Sequence, residues 1–173
     1  MKIGFDFYRT ALGKITIQNK GIRRVRHESH KTQKDKLQRK MEEGKLEKLC
    51  DGCQYARFLG IDVCEVSEGT SKLRLPMLEE FQNRAGTMQG GLIAAFADCA
   101  GGIALRSLLK ESETSATTNL DIKYIAPVKN EIFAYAEIVH KGKSTAVGEI
   151  DIKNKEGKLL AKITETFAIL RKD

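Results

Sequence analysis

Between Gly90 and Leu105 a single charged side chain, Asp98, interrupts a run of Gly, Leu, Ile, Ala, Phe and Cys residues. Burying an unpaired carboxylate is costly. The residue therefore either accepts local hydrogen bonds that fix the packing or serves as a reactive carboxylate, a general base or a nucleophile. On the residue alone both readings stand. Eight residues earlier the pair Gly90-Gly91 opens the same segment with backbone that another group can approach closely. Eight helical residues span about 12 Å, so within one chain the start of such a helix and the carboxylate cannot act directly on one atom. Two subunits packed with these helices antiparallel would bring one chain's helix start near the other chain's Asp98.

Other reactive side chains form weaker patterns. Cys50-x-x-Cys53 has a spacing used for zinc and for thiol exchange, but no second pair and no nearby His accompanies it. No metal and no other cofactor is expected. Cys64 and Cys99 lie in apolar segments and read as core residues. The three histidines are His27, His30 and His140, all far in sequence from Asp98.

The elements that must hold these residues are legible as patterns. From Gln89 to Leu109 the apolar residues leave no polar face at a 3.6-residue period, which predicts a helix buried on nearly all sides. Gly101-Gly102 inside it points to close packing, since glycine there costs helix propensity. Before it, Ile61, Val63 and Val66 followed by Leu73, Leu75 and Met77 predict two strands joined through Glu68-Gly69. After it come four strand segments, Thr117 to Ala126, Glu131 to His140, Ser144 to Lys153 and Leu159 to Leu170. The turns between them are short enough to join antiparallel neighbours. The fold class is therefore α+β: a curved antiparallel β-sheet wrapped around one long central helix.

Charge divides the 173-residue chain at residue 49. Residues 1–49 carry 14 Lys+Arg against 6 Asp+Glu, a net +8, whereas residues 50–173 carry 16 against 17, a net −1. The overall excess of +7 belongs to a basic N-terminal arm, and the domain behind it is not expected to bind nucleic acid. Within the arm, Ile3, Phe5 and Phe7 and then Ile15 and Ile17 alternate as in a short hairpin, while residues 23–48 have only a thin apolar stripe for a surface helix or a flexible lead. The arm receives no catalytic role. No apolar run reaches the roughly 18 residues needed to cross a bilayer, so membrane insertion is not expected. Asp6 and Arg9 stand where a signal peptide would be apolar, and the expected location is cytoplasmic.

The segment Asn83-Arg84-Ala85-Gly86-Thr87-Met88-Gln89-Gly90-Gly91, continued by Leu92-Ile93-Ala94-Ala95-Phe96-Ala97-Asp98, resembles the N-x-x-G-T-x-H-G-G-x-x-x-x-x-x-D signature of the hotdog-fold acyl-CoA thioesterases of the PaaI (phenylacetic acid degradation) group. The likeness extends to Tyr124-Ile125-Ala126-Pro127, to Lys141-Gly142-Lys143-Ser144 and to Asn154 through Ala161, over roughly residues 54 to 170. It implies a hotdog fold, an acyl-CoA substrate, and a homodimer or dimer of dimers with active sites shared between protomers. Carried over by position, it makes Asp98 the catalytic base or nucleophile and gives Gly90 the oxyanion, through its backbone N–H at a helix N-terminus. Gly91 and the lysines Lys141 and Lys143 would contact the substrate, the lysines near the CoA nucleotide or else only as a solvated hairpin tip. Asn83 would hold the water or the carboxylate, and Thr117 would place a hydroxyl beside Asp98. Its neighbour Thr118 would then face away, because strand side chains alternate. Gln89 departs from the family pattern, which has His there. Glutamine can donate a hydrogen bond but cannot relay a proton.

These residues lead to hydrolysis of acyl-CoA thioesters to free acid and CoA. The alternative is a non-catalytic acyl-CoA-sensing module whose basic arm contacts nucleic acid, although the arm lacks the two apolar-periodic helices of a helix-turn-helix.

Overall fold

The structure, a computed structural model, describes residues 5–9, 15–19 and 54–171. The helix or lead expected over 23–48 and the Cys50/Cys53 pair lie outside the described residues. The alternation in the arm becomes an antiparallel hairpin of β1 (Phe5–Arg9) and β2 (Ile15–Asn19), with Phe7 opposite Ile17.

After a short helix α1 (Gln54–Phe58), which no sequence pattern announced, β3 (Asp62–Ser67) and β4 (Thr70–Leu75) form the expected pair. Gly69, at φ +74°, makes the turn between them, a left-handed conformation that glycine adopts without steric cost. The long helix α2 spans Gly90–Arg106. Four strands follow, β5 (Glu113–Tyr124), β6 (Ile132–Lys141), β7 (Thr145–Lys153) and β8 (Leu159–Arg171), the last three within a residue of their expected limits, whereas β5 begins four residues before its expected start and ends two before its expected end. They join β3 and β4 in one antiparallel six-stranded sheet of order β3-β4-β6-β7-β8-β5, and α2 packs against all six strands.

The core lies between this helix and the concave face of the sheet. Ile93, Phe96, Ala97, Ala100, Ile103 and Ala104 of α2 meet Leu73, Leu75, Ile132, Ala134, Ile150, Ile152 and Ile163 of the strands. Burying each large side chain contributes about 1.5–3 kcal/mol. Polar contacts set the depth at which the helix sits. The Ser71 hydroxyl on β4 donates to the Ala100 carbonyl at 2.8 Å, and the Gly69 N–H donates to the Ser107 hydroxyl at 2.8 Å.

Expecting the helix to be buried nearly all round needs a correction. Gly91, Ala95, Asp98, Gly102 and Arg106 follow one another every three or four residues and, with Ala94 beside them, retain exposure. This flank is apolar in composition because its residues are small, not because the sheet covers it. Gly101 and Gly102 also separate: a Cβ on Gly101 would strike neighbouring side chains, whereas one on Gly102 would meet nothing within 4 Å. The open flank lies toward β5, a sheet edge that pairs only with β8 among the described strands and is exposed from Ala116 through Asn119.

Phe96, wholly buried at the middle of α2, is the side chain on which the packing should depend most. Phe96→Ala is expected to lower unfolding free energy by about 3–5 kcal/mol, measurable by urea denaturation.

Candidate active site

The turn that leads into α2 is held from both sides. A 3-10 turn at Glu79–Phe81 is followed by a bridge between Gln82 and Met88. The Met88 N–H donates to the Val128 carbonyl at 2.8 Å and the Gln89 N–H donates to the Phe81 carbonyl at 2.8 Å. Asn83 closes the loop on itself. Its Oδ1 accepts from the N–H groups of Ala85 (2.8 Å) and Thr87 (3.3 Å), and its Nδ2 donates to the Thr87 hydroxyl at 2.9 Å. Gly86, at φ +72°, allows that reversal. Within one chain no hydrogen bond joins Asn83 to Asp98; the asparagine shapes the approach to the helix.

Gln89 is the N-cap residue, in extended backbone conformation, and its side chain makes no capping hydrogen bond. Its carbonyl accepts from the Leu92 and Ile93 N–H groups, at 3.0 and 3.3 Å. The N–H groups of Gly90 and Gly91 precede the first helical hydrogen bond and so have no carbonyl partner in the helix. Together with the partial positive charge of the helix terminus they suit an oxygen that becomes negative. On the other side of Gly90 stands Tyr124, whose hydroxyl donates to the Gly90 carbonyl at 2.7 Å. A Cβ at Gly90 would come within 3.2 Å of that phenol, whereas a Cβ at Gly91 would meet nothing within 4 Å.

Two turns further on, Asp98 sits half-buried on the open flank of α2. The Thr117 hydroxyl donates to its Oδ1 at 2.7 Å. Thr118 turns away and donates instead to the Thr166 carbonyl at 3.1 Å, next to a β-bulge that shifts the β5–β8 register between Thr117 and Asn119. Asp98 and Thr117 are thus brought together, while Gly90 lies at the other end of the same helix segment. Lys141 and Lys143 are exposed beside the β6–β7 turn and do not reach this pair. Lys141 pairs with Ala146, Ala146 with Phe167 and Phe167 with Thr117. The lysine therefore occupies the same row of the sheet three strands away, about 14 Å at ordinary strand spacing.

Two residues of this neighbourhood received no role from the sequence. Tyr124 is one. The other is Glu165 on β8, wholly buried, with Oε1 3.3 Å from the Thr117 hydroxyl and Oε2 without a hydrogen-bond partner. Burial, and then the adjacent Asp98 carboxylate, push its carboxyl up to about 10 against the opposing effect of the Thr117 hydroxyl. A signal was present. In β8 the inward positions are Ala161, Ile163, Glu165, Phe167 and Ile169, a strict alternation with one charged member. Gly101 explains the fit, because a Cβ there would collide with Glu165 Oε2 and lie 3.1 Å from Phe167 Cζ. Among the described residues no cluster of three or more His, Cys, Asp or Glu side chains is arranged to hold a metal ion.

A single helix enclosed by a curved antiparallel sheet, with an open N-terminus and a carboxylate two turns later, defines a hotdog-fold protein. Residues 85–161 match the family model of the thioesterase superfamily. The acyl-coenzyme A thioesterase PaaI of Escherichia coli is 30% identical over 113 residues, 64% of this chain and 77% of that protein. Its solved structure superposes with a TM-score of 0.62, covering 68% of this chain and 83% of the other. Mouse acyl-coenzyme A thioesterase 13 is 33% identical over 101 residues, 56% of this chain and 71% of that protein. A conserved protein of Pseudomonas aeruginosa, 32% identical, superposes with a TM-score of 0.65 over 68% of this chain and 94% of its own. The chain belongs to the thioesterase superfamily and is a hydrolase of that class.

The contact between Gly101 and Glu165 gives a stability test. Gly101→Ala is expected to destabilise the protein by about 1–3 kcal/mol, the cost of overpacking a filled core site. Gly102→Ala, where a Cβ meets no described neighbour, should cost less. Thermal melts of the two variants compare them directly.

Proposed function

We propose that the protein hydrolyses acyl-CoA thioesters to free acid and CoA at sites shared between two protomers of a homodimer, or of a dimer of dimers. The observation that carries this reading is the half-buried Asp98 carboxylate, oriented by the Thr117 hydroxyl on a flank of α2 that the described strands leave partly exposed. Asp98 acts as general base toward water or as the nucleophile itself. As a base it takes a proton from the water that attacks the thioester carbon; the carbonyl oxygen becomes an oxyanion, and collapse of the tetrahedral intermediate expels the CoA thiolate. As a nucleophile it forms a mixed anhydride that water then cleaves.

The oxyanion is received by the Gly90 N–H at the N-terminus of α2 in the other protomer. The helix terminus costs no reorganisation at the moment of reaction, because its donors are already aligned. Gln89, whose side chain is not used as a cap, orients the thioester by hydrogen bonding; Gly91 lets the acyl chain pass close to the backbone. Asn83 acts by holding the loop that presents Gln89 and Gly90. Lys141 and Lys143 offer positive charge to the phosphates of the CoA nucleotide.

Sharing between protomers is supported by distance and by surface. Eight residues of helix separate Gly90 from Asp98, about 12 Å, so one chain cannot place both at one thioester. The small residues flanking Asp98 and the long unpaired edge of β5 permit a second copy to approach backbone to backbone. Acyl-CoA as substrate is also what the names of the Escherichia coli and mouse relatives state for those proteins.

The test is thiol release from a panel of short, long and aromatic acyl-CoAs. Asp98→Asn, nearly isosteric, is expected to lower turnover by about 100- to 10,000-fold, the range for a general base, with folding and assembly kept. Wild-type turnover in that variant would remove Asp98 from the chemistry. Sedimentation at assay concentration is expected to give a dimer or larger assembly, and a fully active monomer would refute the shared site.

A further inference from the structure

Thr117 Oγ1 stands between two carboxyl groups, 2.7 Å from Asp98 Oδ1 and 3.3 Å from Glu165 Oε1. A hydroxyl has one proton to donate. If both carboxyls were ionised, the hydroxyl would serve one of them and turn lone pairs toward the other. Glu165 would then be a wholly buried anion without a compensating cation, an arrangement of high cost. Among the described residues, the groups facing Glu165 are Asp98 and Gly101 from α2, Thr117 and the register partner Leu120 from β5, and Gly148, its partner on β7. Only Asp98 among them is charged, and its sign is the same. The cluster must therefore hold a proton, and Asp98 keeps contact with solvent whereas Glu165 has none.

We propose that Glu165 is a neutral carboxylic acid whose Oε1–H donates to Thr117 Oγ1, so that the Thr117 hydroxyl is directed to donate its own proton to Asp98. Glu165 is then a positioning residue. It touches no substrate, but it fixes the direction of the hydrogen bond that orients the reactive carboxylate. This role rests on the reading of Asp98 given above. Gly101 belongs to the same device, since the missing Cβ leaves the space that Oε2 occupies. A neutral carbonyl oxygen can lie there unpartnered at far lower cost than one end of a carboxylate.

The proton has a consequence for stability that does not depend on catalysis. The unfolded chain releases it near the ordinary value of 4.5, whereas the folded protein holds it up to about 10. Between those limits the folded state binds the extra proton, so the contribution of Glu165 to stability is complete below 4.5 and is lost progressively as pH rises to about 10.

The experiment compares full-length wild type with Glu165→Gln and Glu165→Met. In Glu165→Gln an amide N–H replaces the acid O–H. Its turnover at neutral pH is expected within about threefold of wild type, with a higher Tm above neutrality and a shallower decline of Tm with pH. Loss of activity as pH approaches 10, present in wild type, should be absent. Glu165→Met, which cannot donate, is expected to lower kcat about tenfold, the worth of one hydrogen bond, with KM little changed.

The proposal is overturned if Glu165→Gln loses as much kcat as Glu165→Met, or if Tm of wild type and Glu165→Gln depends on pH in the same way between about 5 and 10. Should Glu165→Met fail to fold, the comparison of wild type with Glu165→Gln still decides. Inactivity of wild type on every acyl-CoA would defeat the reading of Asp98, and the Tm comparison would decide separately whether Glu165 keeps its proton.

Discussion

The structure depends on keeping one 17-residue helix away from water when that helix has almost no polar side chain to spare. Six strands supply the cover, with large side chains where the sheet faces the helix and small ones along the flank that the sheet does not reach. Asp98 sits on that flank. A carboxylate on the sheet-facing side of α2 would be sealed in the core. The single acidic position on the helix is the one where partial exposure and packing meet.

Electrostatics differs between the start of that helix and its middle. At its start, backbone N–H groups and the helix dipole favour negative charge without any ionisable side chain, and the Gln89 side chain is not used as a cap. Two turns later a carboxylate needs the opposite treatment, a donor that orients it without neutralising it. Thr117 gives it one hydrogen bond. A lysine in the same place would stabilise the carboxylate more strongly and weaken it as a base. A hydroxyl paired to a neutral acid behind it orients the carboxylate while leaving its charge in place.

Glycines and one asparagine translate these requirements into backbone. Gly90 has no Cβ because the Tyr124 phenol stands against it, and Gly101 has none because Glu165 occupies the space. Asn83 spends its side chain on the turn that delivers Gln89 and Gly90 to the helix start. Substitutions at such positions act through backbone placement.

The sequence by itself determined the order of elements from β3 to β8, the apolar character of the long helix and the isolation of Asp98, because hydrophobic period and turn residues are local properties of the chain. Strand alternation made it legible that only one of Thr117 and Thr118 could face Asp98; that it is Thr117 followed from the family resemblance and not from alternation. The open flank of α2 was not legible: a small residue packed in a core and a small residue left for a partner have the same hydropathy. Glu165 had a local trace as the one charged inward residue of β8, yet what that residue meets depends on Gly101 and Asp98, more than 60 positions away. Its protonation and the direction of the Thr117 hydrogen bond were decided only by tertiary structure, because they arise from burial and from the distance between groups that the chain itself does not connect.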